Sequence, residues 1–174
     1  MAAVINISSF AQDNSNVSAE KNVLKVNTLA LIFGTGSIFF EHQISDLTSG
    51  QFGVGFLSYK FIDTKFSGLI LTPEFRIYPK KNAISGFYVA PYLRYQNFSV
   101  ENKVETSKGT LTAMGGGVAL GRQWIGKSGF TMDLFFGGHY SSSKVKVESG
   151  TNSFDSDNFE GFRTRIGFAL GFAF

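Results

Sequence analysis

The chain has 174 residues, a formal net charge of +3, no cysteine, 20 glycines and 20 phenylalanines, and only 17% of its residues are charged. Typical soluble domains carry roughly 25% charge, so this deficit beside 16% aromatic content argues against an ordinary water-surrounded globule, while the density of Phe, Ile and Leu excludes wholesale disorder. Without cysteine there are no disulfides, thiolate zinc sites or cysteine nucleophiles, and the even scatter of 16 Lys and Arg against 13 Asp and Glu leaves no basic stripe for nucleic acid.

The opening "MAAVINISSFAQ" ends like a secretory signal, with Ser9 and Ala11 ahead of Gln12 as at a cleavage site, although no basic n-region precedes it. Residues 1–19 are therefore expected to be a signal-peptide remnant and lead-in, and residues 20–174 a single domain. No window approaches the roughly 20 consecutive apolar residues of a spanning helix.

From there the chain alternates with period two, the repeat of a strand with one apolar face. In the first segment Leu24, Val26, Ala30 and Ile32 oppose Lys25 and Asn27, blurred by Leu29 and Leu31. Ile38, Phe40 and Ile44 then oppose Ser37, Glu41 and Gln43; Phe52, Val54 and Phe56 oppose Gly53, Gly55 and Tyr59; Leu69, Leu71, Phe75 and Ile77 oppose Thr72, Glu74, Arg76 and Tyr78. Phe87, Val89, Leu93 and Tyr95 face away from Tyr88, Ala90, Tyr92, Arg94 and Gln96, and Met114, Val118, Leu120 and Trp124 away from Ala113, Gly115, Gly117, Ala119 and Gln123. In the seventh segment Phe130, Met132, Leu134, Phe136 and Tyr140 oppose Thr131, Asp133, Gly137 and His139, with Phe135 as an exception. The last is the cleanest, with Phe162, Ile166, Phe168, Leu170, Phe172 and Phe174 opposing Arg163, Arg165, Gly167, Ala169, Gly171 and Ala173. Eight segments of about ten residues each predict an all-β, eight-stranded antiparallel up-and-down transmembrane β-barrel.

The connections "DLTSG", "PKKNAIS" and "IGKSG" are short, whereas "ENKVETSKG" and "KVKVESGTNSFDSDN" are long, as at the inner and outer ends of an outer-membrane barrel, although the outer connections near "FGTG" and "FIDTKF" are short, so two of the four outer ones follow the rule. Alternation alone also fits a soluble barrel with an apolar interior. A water-facing surface, however, is rich in Lys, Glu, Asp, Asn and Thr, and the non-apolar face of the last three segments is mostly Gly and Ala with a few ionised groups. Small residues beside arginines suit the cramped lumen of an eight-stranded barrel.

Parity sends Lys25, Glu41, Glu74, Arg76, Arg94, Asp133, Arg163 and Arg165 inward. Unpaired charges there would cost several kcal/mol, so a satisfied ion-pair network is expected, joined by Tyr78, Tyr88, Tyr92 and Gln96, in preference to a conducting polar channel. Tyr95, Trp124, Tyr140 and Phe174 lie near expected strand ends, where aromatic rings form interfacial girdles. Pro73 and Pro91 fall inside neighbouring strands and cannot donate to a ladder, which predicts weakened pairing there.

The ending "GFALGFAF", with Phe168, Leu170, Phe172 and Phe174 at alternate positions, resembles the C-terminal signal that the barrel-assembly machinery recognises in outer-membrane β-barrels. "LKVNTLALIFGTGSIFFEH" and "TPEFRIYPK" resemble a family of small Gram-negative outer-membrane barrels defined as a domain of unknown function, eight-stranded like OmpA and OmpX. The resemblance implies an outer-membrane location with lipid around the barrel, and no established activity.

The expected function is therefore a non-enzymatic structural or accessory barrel, alone or within a larger envelope complex. Its outer loops, above all residues 141–158 with Lys144, Lys146, Glu148, Asp155 and Asp157, are the polar surface available to envelope partners. One alternative is a hydrolase: "HYS" at His139, Tyr140 and Ser141 resembles the His-x-Ser motif of small outer-membrane lipid A deacylases, with Glu160 as a third member. Parity places His139 and Ser141 inward and Glu160 on the opposite face, and Ser142 stands where that family has asparagine. Another is a soluble lipocalin-type barrel, whose Gly-x-Trp signature is missing. No P-loop, dinucleotide fingerprint or HExxH motif occurs, and His42 and His139 lie on separate strands, so no cofactor or metal is expected.

Overall fold

The computed structural model describes residues 20–32, 34–61, 64–80, 83–102, 107–149 and 160–174. The alternating segments form β1 (Asn22–Asn27), β2 (Thr35–Gln43), β3 (Thr48–Phe61), β4 (Thr64–Ile77), β5 (Gly86–Asn102), β6 (Ser107–Ile125), β7 (Phe130–Ser149) and β8 (Gly161–Ala173), with one short helix, α1 (Thr28–Ile32). Each strand pairs antiparallel with the next, and β1 pairs with β8 through Val23–Ala173 to Asn27–Ala169. The result is a closed eight-stranded up-and-down barrel.

The first strand is shorter than its sequence suggests. It ends at Asn27, whose side-chain oxygen accepts a hydrogen bond from the Ala30 amide at 3.2 Å and so caps α1. The stretch beyond, Leu29 to Ile32, is apolar on both parities and has no period of two to lose. Thr28 Oγ1 donates to the Phe168 carbonyl at 3.0 Å, fastening the helix to β8.

Other strands are longer than expected. Most of "ENKVETSKG" is ladder, with β5 running to Asn102 and β6 starting at Ser107, and β7 continues through "KVKVES" to Ser149. These polar stretches still alternate, and their backbone groups are satisfied by extending the hairpins. The expected long loops thus shrink to short connections or fall outside the described residues, as do Asp155, Asp157 and residues 1–19.

The lower end holds both ends of the described chain and residues 44–47, 78–80, 83–85 and 126–129; the upper end holds α1 and the tall hairpins. At the lower end Tyr78, Ala83 and Ile84 fold under the barrel. Tyr78 N donates to the Leu47 carbonyl at 2.7 Å, Ala83 N donates to the Asp46 carbonyl at 3.0 Å, and Ala83 and Ile84 are buried, the latter against Val23 and Ala173. Ile84 adopts φ 66°, held there by Gln123 Nε2 donating to its carbonyl at 2.6 Å.

Burial follows the pleat. Leu24, Phe40, Phe52, Phe75, Leu93, Leu120, Phe136 and Phe172 are exposed on the outside, while Lys25, Glu41, Arg76, Tyr88, Ala119, Asp133 and Ala169 are buried within. Phe135, the exception to the alternation, turns inward and packs edge-to-face on Phe39, ring centroids 6.1 Å apart. The β4–β5 ladder thins beside the two prolines, retaining Leu71–Tyr95, Glu74–Tyr92 and Ile77–Val89.

Candidate functional site

The lower half of the lumen is filled by six ionised side chains contributed by five strands. Lys25 (β1) donates from Nζ to Glu41 Oε2 at 2.7 Å and Asp133 Oδ2 at 2.9 Å, and also to Gln123 Oε1. Arg76 (β4) donates from Nη1 to Asp133 Oδ2 at 2.9 Å and Glu41 Oε2 at 3.2 Å, and from Nη2 to Glu74 Oε2 at 3.3 Å. Arg165 (β8) closes the group by donating from Nη2 to Glu74 Oε1 at 2.5 Å. Neutral donors complete the carboxylates: Ser49 Oγ and Tyr78 OH each reach Glu41 Oε1 at 2.6 Å, and Tyr88 OH reaches Asp133 Oδ1 at 2.8 Å. The Arg76 guanidinium also lies 4.1 Å from the Tyr88 ring centroid.

Three cations and three carboxylates are mutually neutralised, which is the condition for burying charge at tolerable cost. The pleat explains how the cluster arises. Every member stands on the inward parity of its strand, and the Gln123–Asp133, Glu41–Gln51 and Gln51–Glu74 pairings bring their strands level at this depth. Ser49 and Gln123 belong to the cluster although sequence reasoning did not single them out; their inward parity, close to the lower strand ends, is the signal that marks them.

The expected network of eight contains only six. Arg94 and Arg163 stand higher, and among the described residues no carboxylate pairs with either. Three carboxylates can neutralise only three cations, and all three are already engaged below. Gln96 also lies above the network, and Tyr92 OH bonds His139 Nδ1 at 3.1 Å. Arg94, Arg163, Gln96 and His139 line a cavity of about 430 Å³ in the upper lumen, together with Arg165, Phe39, Thr72 and Phe135.

The interfacial aromatics divide into two groups. Trp124 and Phe174 lie at the lower rim, where Arg122 sits 4.8 Å from the Phe87 ring centroid and 5.0 Å from that of Trp124. Tyr95 and Tyr140 are mid-strand, because β5 and β7 run on past them. They nonetheless mark a change of chemistry, since the outward residues of β7 above Tyr140 are Ser142, Lys144 and Lys146. On β8, Phe172 and Phe174 are exposed, with Phe168 and Leu170 half-buried on the same outer face.

The His-x-Ser segment does not form a triad. His139 and Ser141 are buried on the inner face, Tyr140 points outward, and Glu160 is exposed beyond the start of β8. Among the described residues no carboxylate bonds the His139 ring, whose Nδ1 meets Tyr92 OH.

No curated protein matches the chain. Among solved structures it is similar to a major outer membrane protein from Thermus thermophilus, at 16% identity over 90% of this chain and the whole of that one, with a TM-score of 0.49. The family model described as "Protein of unknown function (DUF3575)" matches residues 3–158, and the chain belongs to that family.

Proposed function

We propose that this barrel is an integral protein of a Gram-negative outer membrane, small and plugged by its own side chains, and that it serves as a non-enzymatic structural or accessory component. The observation that carries this is the outer surface of β7. From Phe130 to Tyr140 every even position but Gly138 is a large exposed apolar or aromatic residue, over roughly the 9–11 residues a tilted strand needs to cross a bilayer. Above it the outward side chains turn polar at Ser142, Lys144 and Lys146. Phe75, Leu93, Leu120 and Ile166 continue the belt on other strands. An apolar outside around a buried ionic inside suits hydrocarbon and opposes the lipocalin arrangement, whose greasy residues would line the interior.

In this reading the ion cluster blocks solute passage, the final strand with Phe168, Leu170, Phe172 and Phe174 is read by the barrel-assembly machinery, and the tall hairpins face outward to meet other envelope proteins. Purified barrel reconstituted into phospholipid vesicles supplies the test. The expected result is detergent-resistant, heat-modifiable migration with no solute flux above that of empty vesicles. Full solubility without detergent would overturn the membrane reading, discrete conductance would overturn the plug, and loss of an ester-linked chain from lipid A that depends on Ser141 would overturn the non-enzymatic assignment.

A further inference from the structure

We infer that the upper lumen is a binding site for a phosphate group, carried by an amphiphile that enters beside α1. Buried carboxylates and cations cancel in the lower network, so the cavity above it holds the charges of Arg94 and Arg163 with no carboxylate among its described lining residues. His139 and Arg163 are register partners on β7 and β8, and Arg94 reaches the same space from β5. Cations from separate strands converging on one volume form the usual complement of an anionic group.

Arg165 adds a second, independent observation. It is 8% exposed, its Nη2 is engaged with Glu74, and its buried Nη1 has no hydrogen-bond partner. The guanidinium lies between rings, 4.6 Å from the Phe135 centroid and 4.7 Å from that of Tyr92. A buried donor left unmade costs free energy, and an oxyanion in the cavity that Arg165 lines would recover it. Thr72, Gln96 and Asn27 supply neutral polar groups around the same cavity. A volume of about 430 Å³ lies within the range of small-molecule pockets.

The wall beside α1 indicates what the phosphate is attached to. β1 stops pairing with β8 at Asn27–Ala169, and the cavity there is lined by Leu29 and Ala30 of α1 and by Thr164 and Ile166 of β8. Ile166 is 62% exposed on the outer face yet also borders the cavity. The polar site therefore meets the apolar exterior at this point, with Leu31 and Ile32 exposed nearby. A phosphate inside and an alkyl chain lying outward across Ile166 match both surfaces. The phosphate site does not depend on the membrane reading, whereas the alkyl arm rests on it.

Folded protein in neutral detergent, titrated calorimetrically with dodecyl phosphate and separately with inorganic phosphate, tests the proposal. Saturable binding of dodecyl phosphate at least tenfold tighter than inorganic phosphate, weakening as salt is raised, is the expected result. R94Q and R163Q lie outside the ion network, so heat-modifiable migration should be retained while each loses about tenfold or more in affinity. Equal affinity for the two probes would overturn the amphiphile while leaving the phosphate site. No saturable binding of either, or unchanged binding in the folded R94Q/R163Q double variant, would overturn the site itself, independently of whether the barrel inserts into vesicles.

Discussion

Tyr88 and Gly121 face each other across the β5–β6 ladder, and the tyrosine ring lies over the glycine so closely that a Cβ at 121 would come 2.8 Å from Tyr88 Cε1. The missing side chain is what lets the phenol lean across the lumen to Asp133. Gly121→Val should push the ring aside, break that hydrogen bond and destabilise the barrel by about 1–3 kcal/mol. Gly36→Ala, with nothing within 4 Å of the new methyl, should leave the unfolding midpoint in detergent unchanged. Equal midpoints for the two variants would contradict this packing.

Asp133 accepts from Lys25, Arg76 and Tyr88 at once. Asp133→Asn should leave two buried cations with one carboxylate fewer and cost about 3–5 kcal/mol, as when one partner of a buried pair is removed. Asp133→Leu combined with Lys25→Met removes one charge of each sign and should cost clearly less than the single change. Urea unfolding of the barrel reads both, and a double variant as unstable as Asp133→Asn would argue against charge balance as the organising rule.

Leu134 sits in the middle of the outer apolar stretch of β7, and Lys144 lies above it. Leu134→Arg should therefore lower folding stability in vesicles by about 2–4 kcal/mol, whereas Lys144→Ser should have little effect. Equal tolerance at both positions would be inconsistent with a hydrocarbon belt at this height.

Much of this arrangement was legible in the pleat. Phe162 to Phe174 announce a strand and its two faces, and inward parity collects Lys25, Glu41, Glu74, Arg76, Asp133 and Arg165 without any knowledge of register. What parity cannot supply is depth. Arg94 and Arg163 share the inward face, yet only the register places them above the carboxylates. The helix after Asn27 was illegible for a related reason: Leu29 to Ile32 carry no alternation, and the capping bond that ends the strand needs only one asparagine. Phe135 breaks the pattern because the lumen at that height needs volume, which it fills against Phe39 and the bare backbone of Gly167.

That asparagine has a measurable share. Asn27→Ala should lose the bond to the Ala30 amide and loosen α1 by about 1 kcal/mol, seen as faster hydrogen exchange at residues 28–32 while the lower ion cluster keeps its protection. Unchanged exchange would show that Thr28 on the Phe168 carbonyl holds the helix alone.

Phe174 accepts from the Lys21 and Asn22 amides and donates to the Asn22 carbonyl, all through its backbone, and its ring is exposed. Phe174→Ala should thus leave refolding in detergent intact while reducing insertion in cells, measured as outer-membrane yield. Parallel losses in both would mean that the ring contributes to stability rather than to recognition.

The cylinder is fastened by few rungs. Val23 to Asn27 on Ala173 to Ala169 is a brief join compared with the β6–β7 hairpin, which is bonded from Lys108 to Ile125. Both tails of the described chain flank this join, so mechanical pulling from the termini loads it first and parts it rung by rung while the tall hairpins stay whole. A nascent barrel would reach the same geometry in reverse, as an open curved sheet whose final act is to clasp its two outermost edges.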